Sequence, residues 1–468
     1  MLRNRSTIAL VFLLVVTGPA LMVTQDVAHG APSSSLPAFP GAEGFGSTTP
    51  GGRGGRVLEV TTLANAGRGS FRACAEAEGP RICVFRTGGT IEVSRPIVIT
   101  HPDLTIAAQT APGGGITIRS SPRYGDPTVK VVTHDVVIRG LRIRTGASMA
   151  PSPQRRSLSL ERGAHDIVVD HCSLSWATDE IVTMIDGTYD VTVQWSIIAE
   201  GLSHSTHTKG EHSKAMLISG KRFHSSRATT RISVHHDLFA HNRDRNPRNS
   251  SFGLVDVVNN VVYDWGTKAT QVDDNSGRPT LNVVGNFYKL GPDKLPPFER
   301  YGVTANEASG GKVGVYVRGN LGPTRARAAD PERDIVAPVN RGSIVSRRYD
   351  APVVSTSTAG AAFKDVLAGA GVRVPTLDPV DRRIIADVKH RTGHIIDDPS
   401  RVGGWPALPT GTAPADSDHD GMPDTWETAH GLDPRRPDGA ADRDDDGYTN
   451  VEEYLNSLLV PSATPSAT

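Results

Sequence analysis

The chain has 468 residues, 37% of them hydrophobic and 5% aromatic, and its formal net charge at pH 7 is zero. Its length excludes a single small domain and allows a large buried core. The zero net charge hides a division, because residues 413–456 contain thirteen Asp or Glu and three Arg, a balance of −10, so the rest of the chain sums to +10. Outside a cell, such a basic body indicates polyanionic partners, which include acidic polysaccharides as readily as nucleic acid.

The first residues have the order of a secretory signal peptide. Arg3 and Arg5 precede an apolar run from Ile8 to Val23, and small residues follow. This order predicts a signal peptide over residues 1–31. A membrane anchor is the alternative, which the shortness of the apolar run disfavours. No later stretch is suited to span a bilayer, so we expect a secreted, extracellular protein.

Three cysteines fit an oxidising compartment. Cys74 and Cys83 are close enough in sequence to close a small loop, and we expect a disulfide between them. Cys172 is left over in the strand-like segment IVVDHCSLSW, where a buried and inert thiol is expected rather than a nucleophile.

Short β-branched segments recur along the middle of the chain, each with apolar residues at its first and third positions, the period of a half-buried strand. They begin at Val136, Ile167, Val191, Ile232, Val255, Leu281 and Val315. The shorter spacings, of 23 to 26 residues, indicate one basic repeat, and the longer ones, of 31 to 41 residues, indicate the same repeat with inserted loops. No amphipathic helix long enough for a β-α-β crossover separates them.

The sixth position of the last three copies is Asn260, Asn286 and Asn320. Asn tolerates left-handed backbone at turns, and stacked at one level its amide can bond the neighbouring coil. The sequence therefore predicts an all-β fold, a right-handed parallel β-helix over residues 36–396 with function on the inserted loops. A β-sandwich is the alternative, because regular short strands fit it too.

The segment ISVHHDLFAHNRDRNPR begins as a strand and ends as a loop that places Arg243, Arg245 and Arg248 within six residues. Guanidinium groups gathered just beyond a strand indicate an anion-binding site. A solvated basic loop is the alternative.

Another inserted loop, GLSHSTHTKGEHSKA, contains His204, His207 and His212. A transition-metal site is conceivable there, but a polar surface loop is the favoured interpretation.

The segments FPGAEGFG, RTGGTIEV, LTIAAQTAPGGGITI, VVDHCSLSWATDE and HHDLFAHNRDRNPR follow one another in this order, over residues 36 to about 325. The glycine-rich pieces are weak alone, but their order is specific. Together they resemble the secreted branch of the pectate lyase superfamily of polysaccharide lyases. The resemblance implies a β-helix enzyme that cleaves pectate or a related polyuronate by β-elimination, with Ca²⁺ as its cofactor.

The resemblance also implies roles for individual residues. Arg245 falls where these lyases have the base that removes the C5 proton of a galacturonate unit. Lys214 and Arg248 fall at positions that bind the uronate, with Arg243 beside them. The proton next to a carboxylate is a poor acid, and cations beside that carboxylate stabilise the enolate-like transition state. Because arginine holds its proton to very high pH, we expect an alkaline optimum.

Asp179, with Glu180 beside it, falls at an acidic Ca²⁺ ligand of the family. The family usually has further acidic ligands shortly before the Asp-His pair, where residues 155–157 of this chain are Arg, Arg and Ser, and Thr183 stands where another is expected. Three explanations stay open: the substrate carboxylates hold most of the Ca²⁺, arginine replaces its charge, or the activity has drifted or been lost.

Two other functions compete with the lyase. One is a catalytically silent β-helix that binds a polyanionic polysaccharide and is tethered through its C-terminal module. The other is a hydrolase on the same fold, which needs a pair of carboxylates across the groove. The sequence neighbours Asp179 and Glu180 do not supply that pair, since on a strand they face opposite ways.

Two twelve-residue segments near the C-terminus, DSDHDGMPDTWE and DRDDDGYTNVEE, have oxygen-bearing side chains at positions 1, 3, 5 and 9, Gly at position 6 and Glu at position 12. This is the EF-hand ligand pattern. A disordered acidic linker is the alternative. The predicted Ca²⁺ ligands are Asp416, Asp418, Asp420, Asp424 and Glu427 in the first loop, and Asp442, Asp444, Asp446, Asn450 and Glu453 in the second.

These loops predict a small α-helical calcium module over residues 415–457, after a Pro/Gly-rich linker over 397–414 and before a disordered tail over 458–468. The module loosely resembles dockerins, so a scaffold or cell-surface partner is possible, and a purely stabilising role is equally open. PVDRRIIADVKHRTG, from Pro379, is expected to form a helix beside the β-helix. We expect a monomer that binds acidic polysaccharide rather than nucleic acid.

Overall fold

The computed structural model describes residues 36–221, 223–307 and 312–459. The predicted signal peptide over 1–31 and residues 460–468 of the predicted tail lie outside the described residues. Within the described ranges, none of the helices has the length and apolar character needed to cross a lipid bilayer.

Three parallel sheets form the body, and from Arg81 onwards consecutive strands along the chain pass from one sheet to the next. The first sheet contains β1 (Arg56–Val60), β2 (Arg81–Phe85), β5 (Leu104–Ala107), β8 (His134–Arg139), β11 (His165–Asp170), β14 (Tyr189–Gln194), β17 (Thr230–His235), β20 (Leu254–Val258), β23 (Thr280–Val284) and β26 (Gly314–Arg318). The second sheet contains β4 (Ile97–Ile99), β7 (Val129–Val131), β10 (Leu158–Leu160), β13 (Glu180–Met184), β16 (Lys214–Ser219), β19 (Arg248–Ser250), β22 (Thr270–Asp273) and β25 (Val303–Asn306). The third sheet contains β3 (Gly89–Val93), β6 (Ile116–Ser120), β9 (Arg142–Arg144), β12 (Ser173–Ser175), β15 (Ile197–Ala199), β18 (Leu238–Ala240), β21 (Val261–Tyr263) and β24 (Phe287–Lys289). This arrangement is a right-handed parallel β-helix, as the repeat predicted.

The seven repeat segments stack in register in the first sheet. Ile167 pairs with Val136 on one side and with Val191 on the other, and the later copies continue the same alignment. The first and third positions of every copy lie in the buried core inside the coil. The hydrophobic period therefore predicted both the strands and their register, because a slip of one residue would turn each apolar side chain outward.

The sixth repeat position forms the predicted polar ladder. The backbone N–H of Asn260 donates to Oδ1 of Asn286 at 2.8 Å, and that of Asn286 donates to Oδ1 of Asn320 at 2.9 Å. In the earlier coils the N–H of Ser196 donates to Oδ1 of Asp237 at 2.7 Å. Each side chain satisfies the backbone of the preceding coil at a turn where the strand hydrogen bonds end.

The cysteines lie as predicted. A disulfide joins Cys74 to Cys83, and Cys172 is a free and buried thiol. Burial raises the pKa of Cys172 to about 12, so this thiol stays protonated and unreactive at ordinary pH.

The helices lie at the edges and outside of the coil. The α-helices are α1 (Phe71–Ala75), α2 (Ala359–Gly369), α3 (Pro379–His390), α4 (Asp424–His430) and α5 (Asn450–Ser457), and short 3₁₀ helices cover Ala108–Thr110, Pro297–Glu299, Glu332–Ile335, Pro338–Ser343 and Pro399–Val402. The predicted helix from Pro379 is α3. Its Ile384 and Val388 belong to the same buried cluster as Leu238 and Val261 of the third sheet, so the helix covers that sheet from outside.

The segment predicted as a linker runs along the β-helix. The Trp405 indole Nε1 donates to the carbonyl of Arg144 at 2.9 Å, and the backbone N–H of Gly114 donates to the carbonyl of Pro409 at 2.8 Å. The residues beyond it, with α4 and α5, also contact the first coils and form one compact unit with them.

Candidate functional site

Three neighbouring strands of the second sheet, β13, β16 and β19, begin at charged residues. Glu180, the first residue of β13, pairs in register with Lys214, the first residue of β16, and Lys214 pairs in turn with Asp244. Lys214 Nζ donates to the Asp244 carboxylate. Arg245 follows with a φ of 66°, in the left-handed region that non-glycine residues seldom adopt.

These residues border a groove of about 790 Å³ along the second sheet. Its cationic lining residues are Lys130, Arg156, Arg162, Lys209, Lys221, Arg245 and Arg248, and its acidic ones are Glu161, Asp179 and Glu180. No carboxylate in the described part of the chain pairs with the side chain of Arg162 or Lys221. The groove is therefore cationic and suited to a polyanion.

Lys214 and Arg243 lie beside the groove rather than in its lining. Burial lowers the pKa of Lys214, although the charge of Asp244 opposes this. Arg243 pairs with the partly exposed Glu211. Arg248, in the lining, donates from Nε and Nη2 to the two oxygens of Asp273, at 2.6 and 3.0 Å.

Asp179 is surrounded by donors from the chain itself. Its Oδ2 lies 2.8 Å from Nε and 2.7 Å from Nη2 of Arg156, and its Oδ1 lies 3.0 Å from Nε2 of His212 and 3.5 Å from Nε2 of His207. Burial alone would raise the pKa of Asp179, but the hydrogen bonds of the two histidines and the charge of Arg156 hold it well below its usual range.

Glu180 is paired in the same way. Its Oε1 accepts from Nη1 of Arg245, and its Oε2 lies 3.4 Å from Nε of Arg156 and 3.5 Å from the Thr183 hydroxyl. Burial and the neighbouring charge of Asp179 raise the pKa of Glu180. Thr183, expected at a ligand position, instead donates to this carboxylate.

A calcium ion at Asp179 and Glu180 does not fit this arrangement. Ca²⁺ takes six to eight oxygen ligands, whereas each of the four carboxylate oxygens already faces a guanidinium, imidazole or hydroxyl donor. The guanidinium of Arg156 lies between the two carboxylates, where a shared cation would be held.

The histidine loop is folded into the groove, contrary to the surface loop expected from the sequence. His207 and His212 are buried with their rings stacked 3.6 Å apart, while His204 stays exposed near Asp397. The two histidines and Asp179 lie close enough to share a metal ion. However, Nδ1 of His207 accepts the backbone N–H of Lys209 at 3.1 Å, so Nε2 carries the ring proton and donates towards Asp179 rather than binding a metal.

The first C-terminal loop gathers carboxylates without such donors. Asp416, Asp418 and Asp420 lie together, and Asp420 also lies with Glu427 and Asp438. Glu427 has 0% exposure, and neither of its carboxylate oxygens has a hydrogen-bond partner. Burial and the surrounding carboxylates raise its pKa to about 7.

Asp424 differs from the other predicted ligands of that loop, because its carboxylate accepts the backbone N–H and the hydroxyl of Ser417, both at 2.7 Å. A cation fits the rest of the loop, since buried oxygens of Asp416 and Asp418, as well as both of Glu427, lack partners.

The second loop brings together Asp442, Asp444 and Asp446, all of them exposed. Burial, followed by the charges of these three residues, raises the pKa of Glu453, which places Glu453 near them. Asn450 instead donates from Nδ2 to the carbonyl of Asp438 at 2.9 Å, so it links this loop to the segment between the loops.

Sequence reasoning did not assign three of these functional positions. Asp438 stands outside both twelve-residue patterns, and Asp244 lies unremarked within the arginine segment. Arg156 was noted only as a departure from the family pattern. The signal in the sequence was that arginine stands where the family usually has acidic ligands, which suggested that arginine replaces the charge of the metal.

Comparisons with known proteins agree with the fold. The chain is 35% identical over 463 residues to the probable pectate lyase C of Aspergillus terreus, and the alignment covers 95% of this chain and 99% of the fungal protein. The probable pectate lyase C of Aspergillus flavus is 35% identical over 452 residues, with the same two shares. The crystal structure of the major allergen from cedar pollen is similar with a TM-score of 0.53 and 18% identity, over 71% of this chain and 92% of that chain. No family model matches the chain.

Proposed function

The chain belongs to the pectate lyase family and is a lyase, and from this premise we propose that it cleaves pectate or a related polyuronate by β-elimination with Arg245 as the base. The observation that carries the proposal is the position of Arg245. It lines a cationic groove, and its guanidinium is held by the buried Glu180. A base fixed in the wall of a polyanion groove can meet the C5 proton of a bound uronate.

The reaction balances without water as a reactant. The neutral guanidine of Arg245 takes the C5 proton and later returns it to solvent. The C5–H electron pair becomes the C4–C5 double bond, and the C4–O bond breaks with its electrons on the leaving oxygen. That oxygen then takes up a proton from solvent. The step is slow unaided because charge develops beside a carboxylate, and the arginines and lysines of the groove stabilise that charge.

In this proposal the cations near the reacting carboxylate are side chains of the chain. Arg156 neutralises Asp179 and Glu180. Arg248 lines the same groove as Arg245, and Lys214 is close enough to Arg245 for that positive charge to help lower the pKa of Lys214. No step is assigned to a calcium ion at Asp179 and Glu180, because their oxygens are already paired. This corresponds to the sequence-based alternative in which arginine replaces the charge of the metal.

We also propose that the C-terminal loops bind Ca²⁺ and that the protein is exported. The unpartnered buried oxygens of Glu427 and Asp416 support the first point, since a divalent cation would offset their charge. The disulfide between Cys74 and Cys83 supports the second, because such bonds persist in oxidising compartments.

The test is the ultraviolet absorbance of unsaturated ends in polygalacturonate treated with the purified protein. Arg245→Ala should lower the rate about 10²- to 10⁴-fold, the usual contribution of a positioned base. Arg231→Ala is the matched control, because Arg231 is an exposed arginine of the first sheet that pairs with Asp190 and does not line the groove. Its rate should stay close to that of the unaltered protein. Equal rates for Arg245→Ala and the unaltered protein, or no absorbance change with any polyuronate, would overturn the proposal.

A further inference from the structure

We propose that Ca²⁺ bound in the first C-terminal loop fastens the C-terminal segment onto the first coils of the β-helix, with Asp438 as a ligand from outside the loop. The inference rests on the proposed calcium binding of that loop, but it is independent of the lyase reaction. It assigns the loop a place inside the molecule rather than on a scaffold.

The apolar side of the C-terminal segment is buried against the chain's own β-helix. Val451 and Leu455 of α5 form one cluster with Ile82 and Val84 of β2, and Met422 of the first loop belongs to the same cluster. Cys83, between the two β2 residues, faces the inner core instead. The segment therefore covers outward-facing apolar positions of the first sheet, which would otherwise be exposed to water.

Polar contacts also hold α5 against the β-helix. Nε of Arg53 lies 3.0 Å from each carboxylate oxygen of Glu452, and Nη1 of Arg139 donates to Oδ1 of Asn456 at 2.8 Å. Because α5 presents both its apolar and its polar contacts to the β-helix, this surface is not left for a scaffold partner.

Asp438 connects the first loop to the start of α5. Its backbone N–H donates to Oδ2 of Asp420 at 3.1 Å, and its carbonyl accepts from Asn450, the first residue of α5. Its Oδ2 accepts a hydrogen bond from Nη2 of Arg436 at 2.6 Å. A carboxylate oxygen of Asp438 also lies close enough to those of Asp420 and Glu427 to share a metal ion with them. A cation shared by these three carboxylates would draw the inter-loop segment, and with it α5, towards the first loop.

The need for a cation follows from charge. Asp416, Asp418, Asp420, Glu427 and Asp438 crowd one small region, and both oxygens of the fully buried Glu427 have no hydrogen-bond partner. The only cation of the β-helix paired with this set is Arg86, whose Nη1 lies 3.7 Å from Asp416, within the described ranges. Without a bound cation, repulsion within the set favours opening of the loop and release of α5.

The test is amide hydrogen exchange of the full chain, first in chelator and then during addition of Ca²⁺. The amides of α5 should exchange at least tenfold more slowly with Ca²⁺, whereas those of β23, far along the coil, should not change. Calcium binding without altered protection in α5 would overturn the fastening role. Absence of calcium binding would overturn the site itself.

Two variants and a control test the ligands. Asp438→Asn should raise the Ca²⁺ concentration needed for half-protection of α5 at least tenfold, and unchanged calcium dependence would remove Asp438 from the ligand set. Glu427→Gln should have opposite effects in the two conditions. In chelator, α5 should be protected at least as well as in the unaltered protein, because a buried charge is removed. In Ca²⁺, α5 should be less protected than in the unaltered protein. Asp433→Asn is the matched control, since Asp433 is an exposed carboxylate between the loops and outside both clusters.

The lyase rate of the same samples separates this inference from the proposed reaction. Calcium-dependent protection of α5 in a protein without lyase activity would contradict the reaction alone. A lyase whose α5 is indifferent to calcium would contradict the fastening alone.

Discussion

The groove and the first C-terminal loop both contain buried carboxylates that the sequence predicts as calcium ligands. The two sets differ in whether side chains of the protein pair with these carboxylates. In the groove, Asp179 and Glu180 face Arg156, Arg245 and two histidines. In the C-terminal loop, Glu427 is buried without a partner. The same residue types in two acidic patterns thus lead to opposite requirements for a metal.

On our proposal, the origin of the cation, rather than the presence of carboxylates, decides where calcium is needed. A buried carboxylate is costly unless a positive charge compensates it. Arg156 supplies that charge in the groove from within the chain. The C-terminal loop has Arg86 near one of its carboxylates, and on our proposal the remaining positive charge is supplied by Ca²⁺ from solution.

Arg156→Ala should make the groove resemble the C-terminal loop, because it removes the positive charge that the chain supplies there. We expect it to have the largest effect on stability and on the calcium dependence of the lyase rate. Removing one partner of a buried ion pair costs about 3–5 kcal/mol of unfolding free energy. It also leaves Oδ2 of Asp179 without its guanidinium donor and Oε2 of Glu180 with only the Thr183 hydroxyl, so a cation can approach both oxygens. We therefore expect lower stability in urea unfolding and a lyase rate that now rises with added Ca²⁺.

Arg162→Ala is the control for that stability loss, because Arg162 is exposed in the same groove and makes no ion pair within the described residues. Its unfolding free energy should change by no more than about 0.5 kcal/mol. Equal stability of the two variants would show that the pairs of Arg156 do not hold the groove.

Glu180→Gln should have a smaller effect, confined to catalysis. Glutamine keeps a hydrogen-bond acceptor near Arg245 but loses the charge that holds its guanidinium, so we expect kcat to fall about 10- to 100-fold with less change in KM, as for a displaced catalytic group. The calcium dependence of unfolding should stay that of the unaltered protein. Glu161→Gln, whose partner Lys130 lies 2.8 Å away in the same groove, is the control. An equal loss of kcat in both variants would contradict a positioning role for Glu180.

A third site, where the buried carboxylates of Asp264 and Asp387 face His241, extends the comparison. The positive charge at this site belongs to a histidine, which loses its proton at high pH. Burial alone would lower the pKa of His241, but the hydrogen bond from Nδ1 to Asp264, 2.7 Å away, and the carboxylate of Asp387, 3.6 Å from Nε2, raise it to about 9. Glu200 contributes in the same direction.

Since the pKa of His241 in the folded protein lies above the ordinary histidine value of about 6.5, the stabilising contribution of His241 is complete below that pH and is lost as pH rises through about 9. The unfolding temperature, followed at constant Ca²⁺, should therefore decline over this window, and His241→Gln should flatten the decline. An unchanged decline in His241→Gln would assign it to other groups.

The repetitive part of the fold could be predicted from the sequence because it depends on local pattern. Apolar residues at the first and third repeat positions fix the inward face, and Asn286 at the sixth position bonds both neighbouring coils. The helix from Pro379 and the disulfide were predictable for the same reason.

The charge pairing of the site could not be predicted in this way. Arg156 and Asp179 are 23 residues apart, and His212 is a further 33 residues along the chain, so their meeting depends on how the coils stack. Asp438 was missed because the twelve-residue pattern ends at Glu427. A sequence pattern identifies possible ligands, whereas the donors that compete for them come from other coils.

The most direct test of the account is the initial lyase rate on polygalacturonate at 25 °C, in Ca²⁺ and in chelator, for samples whose unfolding temperatures are recorded in both conditions. The account predicts a lower unfolding temperature in chelator and a rate that is unchanged while the protein stays folded. A rate abolished by chelator at a temperature where the protein is fully folded would contradict it, because calcium would then be needed in the groove.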